Sequence, residues 1–133
     1  MIPSNTFGTS ESLDVRLVGG TNSSQLYNGR VEIRRSAGDW GTICDDSFNN
    51  RAALVICNML GYRYGRSISG SKDYFGSGSG DIFMDEVNCH GNETSILDCQ
   101  CRGWGRHNCA HDEDVGIECS HNKSRCTKHS GLV

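Results

Sequence analysis

The placement of eight cysteines constrains this chain more than any other feature. They stand at 44, 57, 89, 99, 101, 109, 119 and 126 of 133 residues. None are spaced Cys-x-x-Cys; the tightest pair is Cys99-Gln100-Cys101. Zinc–thiolate sites favour short paired spacings and thioredoxin-type redox sites need Cys-x-x-Cys, so neither chemistry fits. Structural disulfides are the better reading. Only 35% of residues are hydrophobic, a thin core of the kind that small extracellular domains supplement with cross-links. Counting alone leaves roughly a hundred complete pairings open.

The length suits one domain and is too short for a typical dinucleotide-binding enzyme or a TIM barrel. No apolar run approaches the ~18 residues of a membrane-spanning helix. The opening Met1-Ile2-Pro3-Ser4-Asn5 has neither the basic nor the apolar region of a signal peptide, so the sequence is expected to be part of a longer secreted protein. Sixteen acidic against thirteen basic residues, net charge −3, argue against nucleic acid as a physiological partner. Asn-x-Ser/Thr sequons at Asn22, Asn92 and Asn122 fit a secreted glycoprotein.

Residues 1–13 are polar and without periodicity and read as a flexible leader. Order is expected from Val15. Residues 21–28 read as a polar loop. Val31 and Ile33 then alternate with Arg30, Glu32 and Arg34, a half-buried strand with a charged outer face; Val31, Ile33 and Trp40 are expected in the core. Trp40-Gly41-Thr42-Ile43-Cys44 reads as the returning strand of a hairpin. Ala53, Ile56, Cys57 and Leu60 recur at helical spacing between Asn49 or Asn50, able to cap, and Gly61. Residues 65–80 read as a long Gly/Ser loop, Ile82–Met84 as a short strand, Glu93–Cys99 as a helical turn or two, and Val115–Cys119 as a final strand. The tail from Ser120 is polar.

These motifs, in this order, resemble the scavenger receptor cysteine-rich (SRCR) domain. The resemblance is carried by Val15-Arg16-Leu17-Val18-Gly19-Gly20, Gly29-Arg30-Val31-Glu32-Ile33 and Trp40-Gly41-Thr42-Ile43-Cys44-Asp45-Asp46. It continues through Met84-Asp85-Glu86-Val87-Asn88-Cys89, Leu97-Asp98-Cys99 and Trp104-Gly105-Arg106-His107-Asn108-Cys109, and closes on His111–Cys119. It covers about residues 14–120, with 121–133 as a tail. The implied fold is α+β: a compact, curved antiparallel sheet cradling one helix, disulfide-stapled and with long loops. An eight-cysteine group of the family has an extra pair where this chain has Tyr27 and Tyr62, so the chain resembles the six-cysteine group. The implied bridges are Cys44–Cys109, Cys57–Cys119 and Cys89–Cys99. Cys101 and Cys126 depart from the pattern. The simple inference is a fourth bridge between them; the competing one gives Cys126 a partner in a neighbouring domain, and an exchanged 89–101 pairing stays open.

If Cys44 and Cys109 are bridged, Asp45-Asp46 and Asp112-Glu113-Asp114 become neighbours. Like charges held close repel unless a cation neutralises them, and carboxylate oxygens suit Ca²⁺. The resemblance implies such a site at Asp45, Asp46 and Glu113, and a second at Asp85, Glu86 and Asn108, where the longer Glu86 stands in a place often held by Asp. A site of few protein ligands is expected to bind Ca²⁺ weakly, at about 10⁻⁴–10⁻³ M. A cation so held accepts an anionic group, with nearby arginines adding direct contacts. The candidates for such contacts are Arg34, Arg35, Arg63, Arg66, Arg102 and Arg106; separately, Gly29–Trp40 resembles a segment implicated in bacterial-surface binding in a mucosal member of the family, of which Arg30, Glu32 and Arg34 would face a ligand.

No catalytic role is expected. His107 and His111 flank Cys109, but a bridged cysteine is no nucleophile. The chain has no Gly-x-Ser-x-Gly, His-Glu-x-x-His or phosphate loop. His90, His107 and His111 are weak candidates for a transition metal. The expected function is an extracellular module that binds anionic microbial, glycan or protein ligands with Ca²⁺. The alternative is an accessory, non-catalytic domain of a larger secreted enzyme such as a serine protease or amine oxidase.

Overall fold

The computed structural model describes residues 12–122. Cys126, and with it the expected 101–126 bridge, lies outside the described residues. Strand β1 (Leu13–Asn22) pairs antiparallel along β2 (Leu26–Arg35). On the other edge of β2, two strands follow one another: β6 (Gly116–Ser120) pairs with Leu26–Arg30, and β3 (Gly41–Ile43) with Glu32 and Ile33. Strand β4 (Tyr64–Ile68) lies outside β6, and β5 (Ile82–Met84) outside β3. The β3–β5 pair is parallel, so the sheet is mixed rather than wholly antiparallel. The parallel pair needs a crossover, and the long segment from Cys44 to Asp81, which carries the helix, supplies it.

Helix α1 (Asn50–Met59) forms where period and caps agree. Asn49 caps it by accepting from the Arg51 and Ala52 amides at 3.0 and 3.2 Å, and Gly61 ends it at φ +90°. Its face of Ala52, Ala53, Val55, Ile56 and Cys57 is buried in one cluster with Val31, Ile33, Ile43, Met84 and Ile117 of the sheet and with Val115 just before β6.

Two segments read as loops are ordered. Residues 21–28 complete β1 and start β2 across a turn closed by Ser23 N–H donating to the Leu26 carbonyl at 2.8 Å. The 65–80 stretch holds β4 and the short helix α2 (Lys72–Phe75). Strand β4 hides because it pairs through its backbone while its side chains are mostly half-buried. A Cβ on Gly65 would lie 2.6 Å from Cys57 Sγ, so glycine there lets the helix and its disulfide close onto the strand.

The three implied bridges are present: Cys44–Cys109, Cys57–Cys119 and Cys89–Cys99. The second ties α1 to β6. Cys101 is exposed and bridged to no described cysteine.

Candidate cation and anion site

The first acidic site is assembled by backbone pairing. Cys44 and Asp114 face each other in antiparallel backbone pairing. Next to it, the Asp45 amide donates to the Glu113 carbonyl at 2.8 Å. That contact brings the loop after β3 against the 3₁₀ turn His111–Glu113, and the Cys44–Cys109 bridge locks it. Asp46 Oδ2 lies 3.7 Å from Cys109 Sγ, and Glu113 Oε1 lies 3.8 Å from Cys44 Sγ. One carboxylate oxygen of each falls within a 4.8 Å cluster with both sulfurs. The sulfurs are spent on each other, so the donors left are hard carboxylate oxygens. Loss of hydration, then the charges of Glu113, Asp46 and Asp112, push the Asp45 carboxyl above its ordinary range. A negative field of this kind, open to solvent, fits Ca²⁺.

At the second expected site the structure separates the carboxylates. Asp85 is fully buried, whereas Glu86 is exposed. Asp85 Oδ2 takes long contacts from the Asn108 amide at 3.4 Å and from Arg102 at 3.5 Å. Its Oδ1 is buried without a hydrogen-bond partner. Arg102 thus supplies the positive charge near Asp85, and Asn108 contributes its backbone. An open depression lies alongside, lined by Ser47, Glu86, Asn88, Gln100, Cys101 and Arg102. Ser47 and Glu86 both have left-handed backbone, φ 66° and 53°, a strain that tends to mark functional surfaces.

The arginines divide into two groups. Those of the sheet's outer face are engaged with carboxylates. Glu32, only 7% exposed, accepts from Arg16 and from Arg30 at 2.6–3.1 Å. Arg30 also donates to the Phe75 and Gly76 carbonyls, and Arg34 pairs with Asp14 at 2.8 Å. Arg66 pairs with Glu118 at 2.7 Å. Arg35 lies over Trp104, 4.6 Å from the ring centre, and Trp104 stacks on Phe83. Trp40 is not in the core as expected. It is half-buried on the outer face, with the Arg16 and Arg34 guanidiniums 4.0 and 4.5 Å from its ring centre. Period two explains this: Trp40 shares a face with Thr42, which sits opposite the outward Glu32. Arg102 and Arg106 are exposed on the 100–108 loop; Arg102 still pairs with the buried Asp85 at 3.5 Å, whereas Arg106 has no ion-pair partner among the described residues.

Of the acidic run 112–114, Asp114 turns inward, a role its position in the run concealed. It accepts from Thr42 Oγ1 and the Gly78 amide, both at 2.7 Å. His111, a candidate metal ligand by sequence, is spent between Asp114 and the Gly80 carbonyl, each at 2.9 Å. Burial depresses its pKa, but those two partners outweigh it and hold the ring above its ordinary value. His107 Nδ1 accepts from the Cys109 amide at 3.1 Å. Asn22, Asn92 and Asn122 are all exposed.

The family model of the scavenger receptor cysteine-rich domain matches residues 20–120. The macrophage receptor MARCO of Mus musculus is 50% identical over 106 residues, which span 80% of this chain and 18% of that protein. The macrophage scavenger receptor types I and II of Bos taurus is 46% identical, over 83% of this chain and 23% of that protein. This chain therefore spans about a fifth of the curated relatives it matches. Among solved structures, the dimeric form of the SRCR domain of mouse MARCO superposes with a TM-score of 0.66 at 46% identity, covering 76% of this chain and 94% of that one. The third SRCR domain of murine neurotrypsin gives 0.70 at 43% identity, covering 85% and 100%. With this family match, these relatives and the three family bridges in place, the chain belongs to the scavenger receptor cysteine-rich family.

Proposed function

We propose that this domain is an extracellular, non-catalytic binding module that captures anionic microbial, glycan or protein ligands with the help of Ca²⁺. The observation that carries the reading is the convergence of Asp46 and Glu113 on the Cys44–Cys109 bridge, with the exposed Asp45 close enough to feel both charges. When bound there, Ca²⁺ supplies a positive centre with coordination positions left for a ligand's sulfate, phosphate or carboxylate. Asp46 and Glu113 hold it through oxygens fixed by the disulfide. Arg102 and Arg106, exposed on the loop that leads into Cys109, add charge-assisted hydrogen bonds to the same anion. Arg30 and Glu32 serve the sheet rather than the ligand, because their hydrogen bonds are made within the domain.

Binding to immobilised dextran sulfate, measured with Ca²⁺ and again with a chelator, tests the reading. Binding that requires Ca²⁺ supports it; none in either condition contradicts it. The neurotrypsin likeness, to one SRCR domain among several, favours a second reading, an accessory domain within a larger mosaic protein. The sequence flanking this one in its gene separates the two: a catalytic domain there supports the second.

A further inference from the structure

We propose that the domain associates with a second copy of itself through the outer edge of β1, the two β1 strands lying antiparallel about a two-fold axis at Val15. On its inner side β1 pairs with β2, in a register that runs from Leu13 opposite Arg35 to Gly19 opposite Gly29. The Ser36 amide donates to the Ser12 carbonyl at 3.0 Å. That makes Ser12 and Ser36 a hydrogen-bonded pair and, by alternation, Asp14–Arg34 and Arg16–Glu32 as well. Leu13, Val15 and Leu17 then turn their N–H and C=O groups to the other side. Two contacts agree with this. The Val31 amide, opposite Leu17, donates away from β1 to the Val115 carbonyl at 2.9 Å, and the Leu17 amide is taken by Tyr27 Oη at 3.0 Å. Among the described residues no strand pairs with this outer edge. An open edge of this kind is a template for another strand.

The edge's own sequence selects its partner. Leu13-Asp14-Val15-Arg16-Leu17 is self-complementary when run antiparallel. With Val15 opposite Val15 of the second copy, Leu13 meets Leu17 and Asp14 meets Arg16, each contact made twice by symmetry. The pairing with β2 extends the match across four strands. One row reads Arg34 and Asp14, then Arg16 and Glu32 of the second copy, with charges alternating in sign. The row beside it reads Ile33 and Val15, then Val15 and Ile33 of the second copy, all apolar. The Asp14 and Arg16 side chains are 44% and 45% exposed, so their bonds to Arg34 and Glu32 leave room for the cross-copy contact. Leu13 and Val15 are half-buried against the core, and the second strand covers more of them.

The charges also choose the register. Sliding by two residues sets Asp14 against Asp14 or Arg16 against Arg16, like charges face to face. In the favoured register Val15 exchanges both backbone bonds with its counterpart, and the Leu13 amide donates to the Leu17 carbonyl. The Leu17 amide stays with Tyr27, which ends the pairing there.

Sedimentation equilibrium of the full chain tests the surface. Two short strands make a small interface of the weak class. Wild type is therefore expected to be a 14.5 kDa monomer when dilute and to approach twice that mass toward ~1 mM. Val15→Pro removes an outward amide that β2 does not use, so it should abolish association and leave the melting temperature near that of wild type. Amide exchange gives a readout without a variant. The Leu13 and Val15 amides should slow as wild type is concentrated, while those of Asp14 and Arg16, bonded to β2, keep one rate. A monomer at every concentration overturns the proposal, and so does association that survives Val15→Pro. If Val15→Pro does not fold, the exchange rates decide: a Val15 amide whose rate is independent of concentration overturns it.

Discussion

Tyr27 and Tyr62 meet with ring centroids 6.2 Å apart, at the two positions where the eight-cysteine group of the family has its extra bridge. Aromatic packing and hydrogen bonding stand in for a covalent link: Tyr27 Oη accepts from the Leu17 amide at 3.0 Å, and Tyr62 Oη reaches the Ser23 carbonyl. Tyr27→Cys with Tyr62→Cys is expected to form a bridge spontaneously on oxidative refolding. Closing a loop of about 35 residues contributes at most ~4 kcal/mol by chain entropy, less the lost ring contacts. Intact mass and thermal melting check this; two free thiols in the folded double variant would contradict it.

The native bridges should differ in value by the loops they close. Cys57 and Cys119 are 62 residues apart, Cys89 and Cys99 only 10. Chain entropy gives about 4 and about 3 kcal/mol respectively. The first also holds α1 to β6 within the core. Paired Cys→Ala variants measured by urea unfolding should rank in that order; a larger loss from the 89–99 variant would count against the account.

Glu32 gives the domain an acid-sensitive clasp. Its burial raises its pKa, but hydrogen bonds and charge from Arg16 and Arg30 outweigh this and leave it below the ordinary 4.5. A carboxyl lowered in the folded state stabilises above the unfolded pKa, and the gain disappears as pH falls through the folded value. Glu32→Gln should therefore cost about 1–3 kcal/mol at neutral pH, with the gap to wild type closing well below pH 4.5. A constant gap across the acid limb of a pH–stability curve would show that charge is not the cause.

The division among the arginines separates binding from folding. Arg106→Ala should weaken dextran sulfate binding and flatten its salt dependence without moving the melting temperature, since that side chain is exposed; Arg102→Ala should weaken binding and also lower the melting temperature, because it leaves the buried Asp85 without its positive partner. Arg30→Ala should lower the melting temperature, because it removes the bonds to Glu32, Phe75 and Gly76. Loss of binding only in the thermally intact Arg30 variant would reverse the assignment.

What was legible in the sequence was local or carried by the family pattern. Helix α1 shows itself because Asn49, the Ala53–Leu60 spacing and Gly61 lie within one short window. The bridges followed from the resemblance, which fixes pairings that counting leaves open. Strand β4 was not legible, since its order comes from β6, some fifty residues away. The large apolar ring of Trp40 argues for the core, whereas its register puts it on the outer face beneath Arg16 and Arg34. The self-neutralising of Arg16, Glu32 and Arg30 was hidden too. Alternation puts Glu32 outward, but only two flanking arginines explain how an outward glutamate is buried. Asp45, Asp46 and Glu113 stand in acidic runs that the sequence displays, yet their proximity depends on the Asp45–Glu113 backbone contact between distant segments.

Calorimetric titration of Ca²⁺ into wild type and Asp46→Ala tests the central claim most directly. The account predicts binding to wild type at about 10⁻⁴–10⁻³ M, accompanied by a calcium-dependent rise in melting temperature. Both signals should be lost in Asp46→Ala while its disulfides and fold remain. No heat and no thermal shift in wild type at millimolar Ca²⁺, or an Asp46→Ala variant that binds as wild type does, would contradict it.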